Sequence, residues 1–239
     1  MPDWFKHRYI GSNIDEPSVV NEIPRRLFEL VRSINVETGL MLRKIDLGGG
    51  LGFPYEPDSH CMSCGEYASA IFANNLSLLK ELRNPKLIFE PGRAIVADSG
   101  ILLTRVGAVE KQGEVDWAIV DAGMNVLIRP ALYGAKHQIL LVNQRSGTHT
   151  RYRIGGPCCE SGDILANNVA LPTLRECDLL AVLDVGAYGF TMSSNYNGYE
   201  RPAVVLVAHG EGELIRRRES YEDMIVNEII PANLLSSDC

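Results

Sequence analysis

Two stretches of this chain put groups capable of chemistry at strand ends. Lys44, Ile45, Asp46 and Leu47 form a short apolar strand that runs into Gly48, Gly49 and Gly50, with a helix expected next. Three positions without a Cβ let another molecule approach the backbone and permit positive φ, so successive N–H groups can converge on an anion. A following helix would add its positive end. The run by itself fits a phosphate cradle or a plain tight turn. The next strand, residues 86–93, shifts the balance, because it ends in Glu90, Pro91, Gly92 and Arg93 and so delivers a carboxylate and a guanidinium. In a parallel α/β barrel the C-terminal strand ends carry the chemistry, and their loops commonly hold a phosphate.

Further polar groups cluster in turns downstream. Asp121 to Asn125 leads to Arg129, Pro130 and Tyr133; then come Cys158, Cys159, Glu160 and Asp163, then Tyr188, and then the run Met192, Ser193, Ser194, Asn195, Tyr196 and Asn197. Singly, each has an ordinary reading: a surface charge, a half-buried tyrosine, a small core cysteine. Cys61 and Cys64 stand with two residues between them at the start of an expected helix, where a thiolate would be stabilised. No second cysteine pair with metal-ligand spacing accompanies them, so incidental loop cysteines are expected and no metal site is assigned.

The elements that must position these groups follow from periodicity. Residues 7–14 read as a strand ending in a Gly-Ser turn. Ile23, Leu27, Leu30, Val31 and Ile34 recur at helical spacing, with Pro24 acceptable in a first turn and Gly39 closing the helix. Ser63 and Glu66 fit a capping box, followed by Ala68, Ile71, Phe72, Leu76, Leu79 and Leu82 as one apolar face. Strand, helix, strand, helix, strand is a parallel α/β pattern, and three strands cannot close a barrel. Beyond residue 98 the texture changes to short β-rich runs at 102–109, 115–120, 138–142, 151–154, 179–183, 203–207 and 214–217, with a helix expected at 219–230. That pattern predicts an antiparallel barrel or sandwich, with the domain boundary near 98–100.

The totals bound the class. A chain of 239 residues with 46% hydrophobic and 22% charged residues can bury a real core. A net charge of −7 argues against wholesale binding of nucleic acid or an anionic membrane surface. No apolar run is long enough to span a bilayer, and the first residues lack the apolar core of a signal peptide. Six cysteines without regular spacing do not form a disulfide framework, so a reducing cytoplasm is the expected compartment.

The motifs together resemble the C-terminal part of the pyridoxal-phosphate-dependent ornithine/diaminopimelate/arginine decarboxylases, which are built on an alanine-racemase-type barrel. The resemblance is strongest to the diaminopimelate branch. It rests on seven runs in family order: residues 9–12, 46–52, 90–93, 129–133, 159–163, 186–189 and 192–197. It implies that residues 1–98 are the last three strands of a pyridoxal 5′-phosphate-binding (β/α)8 barrel and residues 99–239 a C-terminal β domain. It implies decarboxylation of meso-2,6-diaminopimelate to L-lysine and CO2 through a carbanion, in a homodimer with shared active sites; the alternatives are a related decarboxylase of ornithine, arginine or carboxynorspermidine, or a non-catalytic homologue acting as a regulatory partner. Ser12, Gly48, Gly49, Gly50, Glu90, Pro91, Gly92, Arg93 and Tyr188 would then hold the cofactor. Glu90 would face the pyridine nitrogen and keep it protonated, so the ring can accept electrons. Cys159 would return a proton from the partner subunit. Arg93, Arg129, Tyr133, Glu160 and Tyr188 would hold the substrate, Glu160 at its distal ammonium and the arginines at its distal carboxylate.

Three positions depart from the family pattern: Tyr9 stands for a usual His, Val126 for an Asp and Lys136 for an aromatic. The family also links its cofactor to a lysine on an early barrel strand, and none of Lys6, Lys44, Lys80, Lys86, Lys111 or Lys136 lies in such a context. The chain is therefore expected to be a C-terminal portion of a longer protein, lacking roughly the first five barrel strands and inactive alone. Its compartment would be the cytoplasm, or a plastid if a transit peptide lies upstream.

Overall fold

The computed structural model describes residues 4–6, 13–14, 16–56, 59–143 and 145–235. They form two compact units, Met1–Ile101 with Leu183–Ala187, and Leu102–Val182 with Tyr188–Cys239. No helix among the described residues is long and apolar enough to cross a membrane.

The first unit is a parallel sheet of β1 (Trp4–Lys6), β2 (Lys44–Asp46) and β3 (Lys86–Ile88), with β2 central. Helix α1 (Pro17–Thr38) connects β1 to β2 and α2 (Cys64–Glu81) connects β2 to β3. Parallel neighbours need such crossovers. On α1, Val20, Leu27, Phe28 and Val31 line one stripe and bury against Ile45, Ile71 and Leu79. Gly39 ends α1 in the left-handed conformation, its N–H bonded to the Asn35 carbonyl at 3.0 Å. Ser63 and Glu66 form the expected capping box of α2.

Several local expectations need correction. Helix α1 begins at Pro17, so Pro24 lies inside it and removes one backbone hydrogen bond. Val19 and Val20 stand in the first turn and Val20 is buried, so the apolar face starts before Ile23. Phe72 and Leu76, read as part of the buried face of α2, are 39% and 53% exposed. The first strand lies at Trp4–Lys6; residues 7–12 of the expected strand are outside the described residues, and Ile14 makes a lone parallel bridge to Leu51. No helix follows the glycine run directly, since residues 52–55 are irregular up to the next cap at Ser63. After β3, Glu90 and Pro91 lie beyond the strand, and α3 (Gly92–Val96) begins at once. The segment Leu183–Ala187 belongs to this unit although it follows far later in sequence. Val185 N–H donates to Gly100 O at 2.9 Å and Gly186 N–H to Ala97 O at 3.0 Å. A Cβ on Gly186 would collide with the Val96 carbonyl, so the close approach requires glycine there.

The second unit holds a six-stranded mixed sheet. Its strands are β4 (Leu102–Gln112), β5 (Val115–Val120), β6 (Ile139–Leu141), β7 (His149–Gly155), β8 (Ile164–Pro172) and β9 (Leu179–Val182), in the order β6-β9-β4-β5-β7-β8. The edge strands β6 and β8 come together, so the sheet nearly closes. Alternation puts Thr104 and Val106, Ala118 and Val120, and Leu180 and Val182 inside. The expected all-antiparallel arrangement is corrected by β5 and β7, which pair in parallel. Strand β8 falls outside the expected β-rich runs, because Asn167 and Asn168 interrupt it; Asn168 sits at φ 60° where the register with β7 shifts. Short helix α4 (Arg129–Tyr133) was missed for want of length. A separate hairpin, β10 (Val204–Ala208) with β11 (Glu211–Arg216), follows. The expected helix at 219–230 is reduced to α5 (Tyr221–Ile225).

Candidate active site

Strands β2 and β3 run in parallel register, Asp46 opposite Ile88, so their C-terminal ends lie level. The ladder continues past both strands: Leu47 N–H donates to Ile88 O at 2.9 Å and Glu90 N–H to Gly48 O at 2.7 Å. Glu90 and the glycine run are thus hydrogen-bonded neighbours. Gly48 and Gly50 adopt φ of 73° and 102°, which side chains rarely tolerate. Gly49 has an ordinary φ, but a Cβ there would run into the Glu90 carbonyl.

Arg93 is tied to the same turn. Its Nη1 donates to Asn13 Oδ1 at 3.2 Å, which also accepts from Phe53 N–H at 2.9 Å, while Ile14 N–H donates to Gly50 O at 2.8 Å. The guanidinium also lies over the Tyr55 ring, 5.9 Å from its centroid. Gly48 departs from expectation: its N–H is committed to Asp46 Oδ1 at 2.9 Å. Pro91 and Gly92 turn the chain into α3, and Gly92 N–H donates to Glu90 O at 2.8 Å. Ser12 and Tyr9 lie outside the described residues. A phosphorylated pyridine fits this set of groups, since backbone amides at glycines and a guanidinium suit its phosphate, and a carboxylate suits a ring nitrogen.

In the second unit, Cys158, Cys159 and Glu160 lie on the loop between β7 and β8, and buried Asp163 organises it. The Asp163 carboxylate accepts from Met124 N–H at 2.5 Å and Cys158 N–H at 2.7 Å, and its carbonyl accepts from Gly156 N–H at 2.9 Å. Gly123 and Gly156 pack on that carboxylate with no room for a Cβ. Cys158 is buried, its thiol donating to Asn125 Oδ1 at 3.7 Å; burial, then the Asp163 charge, pushes its pKa up to about 11. Cys159 is exposed. Glu160 accepts from Gly162 N–H at 3.2 Å and from the Tyr196 hydroxyl at 3.0 Å, and these bonds hold its carboxyl below the usual range.

Arg129 opens α4 and is buried, with Nη1 2.9 Å from His137 Nε2. Guanidinium nitrogens only donate, so that imidazole nitrogen accepts. Tyr133 ends the same helix and is exposed. Tyr188, also exposed, holds φ of 59°, a conformation that costs a residue with a Cβ about 1–2 kcal/mol and so marks a constrained position. The sequence reading missed His137, Asn13, Asp163 and Tyr196 as supports. Asp163 and Tyr196 stood in quoted motifs, but only contacts between distant segments reveal their work. Cys64 opens α2 exposed, and Cys61 packs beside Gly52. The described residues hold no cluster of three or more metal-ligating side chains.

Residues 14–186 match the family described as the pyridoxal-dependent decarboxylase C-terminal sheet domain, and the chain belongs to that family. Within it, the chain is similar to diaminopimelate decarboxylases. It is 40% identical to that of Methanothermobacter thermautotrophicus over 96% of this chain and 54% of that protein. It is 43% identical to that of Pseudomonas aeruginosa over 92% and 51%. The crystal structure of diaminopimelate decarboxylase from M. jannaschii in co-complex with L-lysine superposes with a TM-score of 0.90 at 37% identity, covering 95% of this chain and 52% of that one. The chain spans about half the length of the curated relatives it matches.

Proposed function

We propose that the protein carrying this chain is a pyridoxal-phosphate-dependent carboxy-lyase that converts meso-2,6-diaminopimelate to L-lysine and CO2. The observation that carries the reading is the Glu90 N–H to Gly48 O hydrogen bond of 2.7 Å, which sets an acidic residue beside a glycine turn. The names of its relatives support the substrate. When bound, the cofactor supplies an electron sink for the bond to the departing carboxylate.

This chain's residues do the rest. Gly49 and Gly50, with Arg93, bind the phosphate; Gly48 shapes the turn, since its amide is engaged by Asp46. Ser12 joins them in this reading. Glu90 holds a proton at the ring nitrogen, and Pro91 and Gly92 turn the chain so that Arg93 follows. Tyr188 orients cofactor and substrate. Cys159, exposed on its loop, hands a proton to the substrate carbon, serving the site of a second copy in a homodimer. Glu160 meets the distal ammonium. Tyr133, with Arg93 and Arg129, meets the distal carboxylate, Arg129 being aligned by His137. The cysteine pattern supports a reducing compartment, cytoplasm or plastid.

The test uses the protein expressed from its full native coding sequence and supplied with pyridoxal 5′-phosphate. CO2 and L-lysine are expected from meso-diaminopimelate and no CO2 from ornithine. Release from ornithine alone rejects the reading.

A further inference from the structure

We propose that Tyr196 is a positioning residue for Glu160 and thereby sets selectivity for substrates carrying a second ammonium group. The inference rests on the reading above that Glu160 meets that ammonium.

Each Glu160 oxygen is held by a different donor, Oε1 by Gly162 N–H at 3.2 Å and Oε2 by the Tyr196 hydroxyl at 3.0 Å. The backbone is pinned as well: Glu160 N–H donates to Cys158 O at 2.8 Å, and Asp163 N–H donates to Glu160 O at 3.1 Å. A carboxylate offers about four lone-pair sites, so one donor on each oxygen fixes its plane and leaves acceptor capacity for a cation. An exposed glutamate without such anchors would spread over rotamers and lose that freedom on binding.

Tyr196 can act as an anchor because its own segment is tied down. Ser194 N–H donates to Asn125 O at 2.8 Å, and Asn195 Nδ2 donates to Glu219 Oε2 at 2.7 Å and Tyr199 O at 3.1 Å. The Tyr199 hydroxyl donates to Pro157 O at 3.1 Å, so two tyrosines of one turn grip the same loop. The protonation states agree with this geometry. Glu160, through its hydrogen bond first and its charge second, raises the Tyr196 phenol pKa, so at neutral pH the donor keeps its proton while the acceptor is ionised.

The experiment has two arms. In the full-length protein labelled with 13Cζ-tyrosine, the resonance lost in Tyr196→Phe is assigned to Tyr196. It should titrate above the ordinary tyrosine value of about 10 and fall back toward it in Glu160→Gln. In the full-length protein, Tyr196→Phe should raise KM for meso-diaminopimelate about fivefold to tenfold with kcat within about twofold. Tyr199→Phe, which removes a bond to the same loop without touching Glu160, should raise KM by less than Tyr196→Phe does. A Tyr196 titration insensitive to Glu160→Gln overturns the proposal. So does an unchanged KM in Tyr196→Phe when Glu160→Gln raises it, and that result leaves the proposed function standing. If the unaltered protein releases no CO2 from diaminopimelate, the function and the selectivity claim fall together, and the titration alone decides whether Tyr196 holds Glu160.

Discussion

Gly49 lies so close against the carbonyl of Glu90 that no side chain fits between them, and the neighbouring Glu90 N–H to Gly48 O bond is 2.7 Å. Two loops from separate strands are thereby locked into one edge. Glycine at position 49 is required by space, whereas Gly48 and Gly50 are required by backbone angle.

Gly49→Ala therefore forces the two strand ends apart. Overpacking of this kind costs about 1–3 kcal/mol. Urea unfolding should show that loss, and binding of pyridoxal 5′-phosphate, followed by fluorescence, should weaken with it. An alanine variant of unchanged stability and binding would contradict the packing described.

The two adjacent cysteines should differ in reactivity. The Cys158 thiol, raised to about 11 by burial and by Asp163, stays protonated at pH 8, whereas Cys159 is open to solvent. Iodoacetamide at pH 8 should label Cys159 and spare Cys158, read by mass spectrometry of the peptide. The folded state holds the Cys158 proton more tightly than the unfolded chain does. Its contribution is complete below pH 9.0 and disappears as the pH rises through about 11.

Asp163→Asn replaces one acceptor oxygen with a donor that faces the N–H of Met124 or Cys158. Leaving a buried donor unsatisfied costs about 1–3 kcal/mol. The expected result is a lower unfolding midpoint together with faster modification of Cys158 by a thiol reagent. Loss of stability without a change in that rate would show that Asp163 does not hold the loop.

Ser63→Ala removes the side-chain half of the α2 capping box and should cost about 1 kcal/mol. The Ser63 N–H also holds the Glu66 carboxyl below its ordinary range. The stabilisation from that bond is present above the usual glutamate value of 4.5 and fades as the pH falls below it. Denaturant titrations at pH 7 and pH 3 should show the parent and the variant both losing this contribution at the lower pH, because alanine keeps the backbone N–H at position 63, while the capping difference between them persists.

The sequence by itself determined the local grammar of the protein. Helical spacing and the Ser63 and Gly39 caps announced α1 and α2, and short β-rich runs announced most strands of the second unit, because these signals depend on neighbours a few residues away. The glycine run and the Glu90 to Arg93 turn were legible as chemistry for the same reason. Tertiary structure alone decided the rest. The level register of β2 and β3 brings Gly49 under Glu90, β5 pairs in parallel with β7, and Leu183–Ala187 returns to the first unit. Contacts such as Asp163 with Met124 and Tyr196 with Glu160 join segments far apart in the chain. A hydrogen bond between distant loops depends on where the fold brings each of them, and no residue pattern within either loop encodes that meeting.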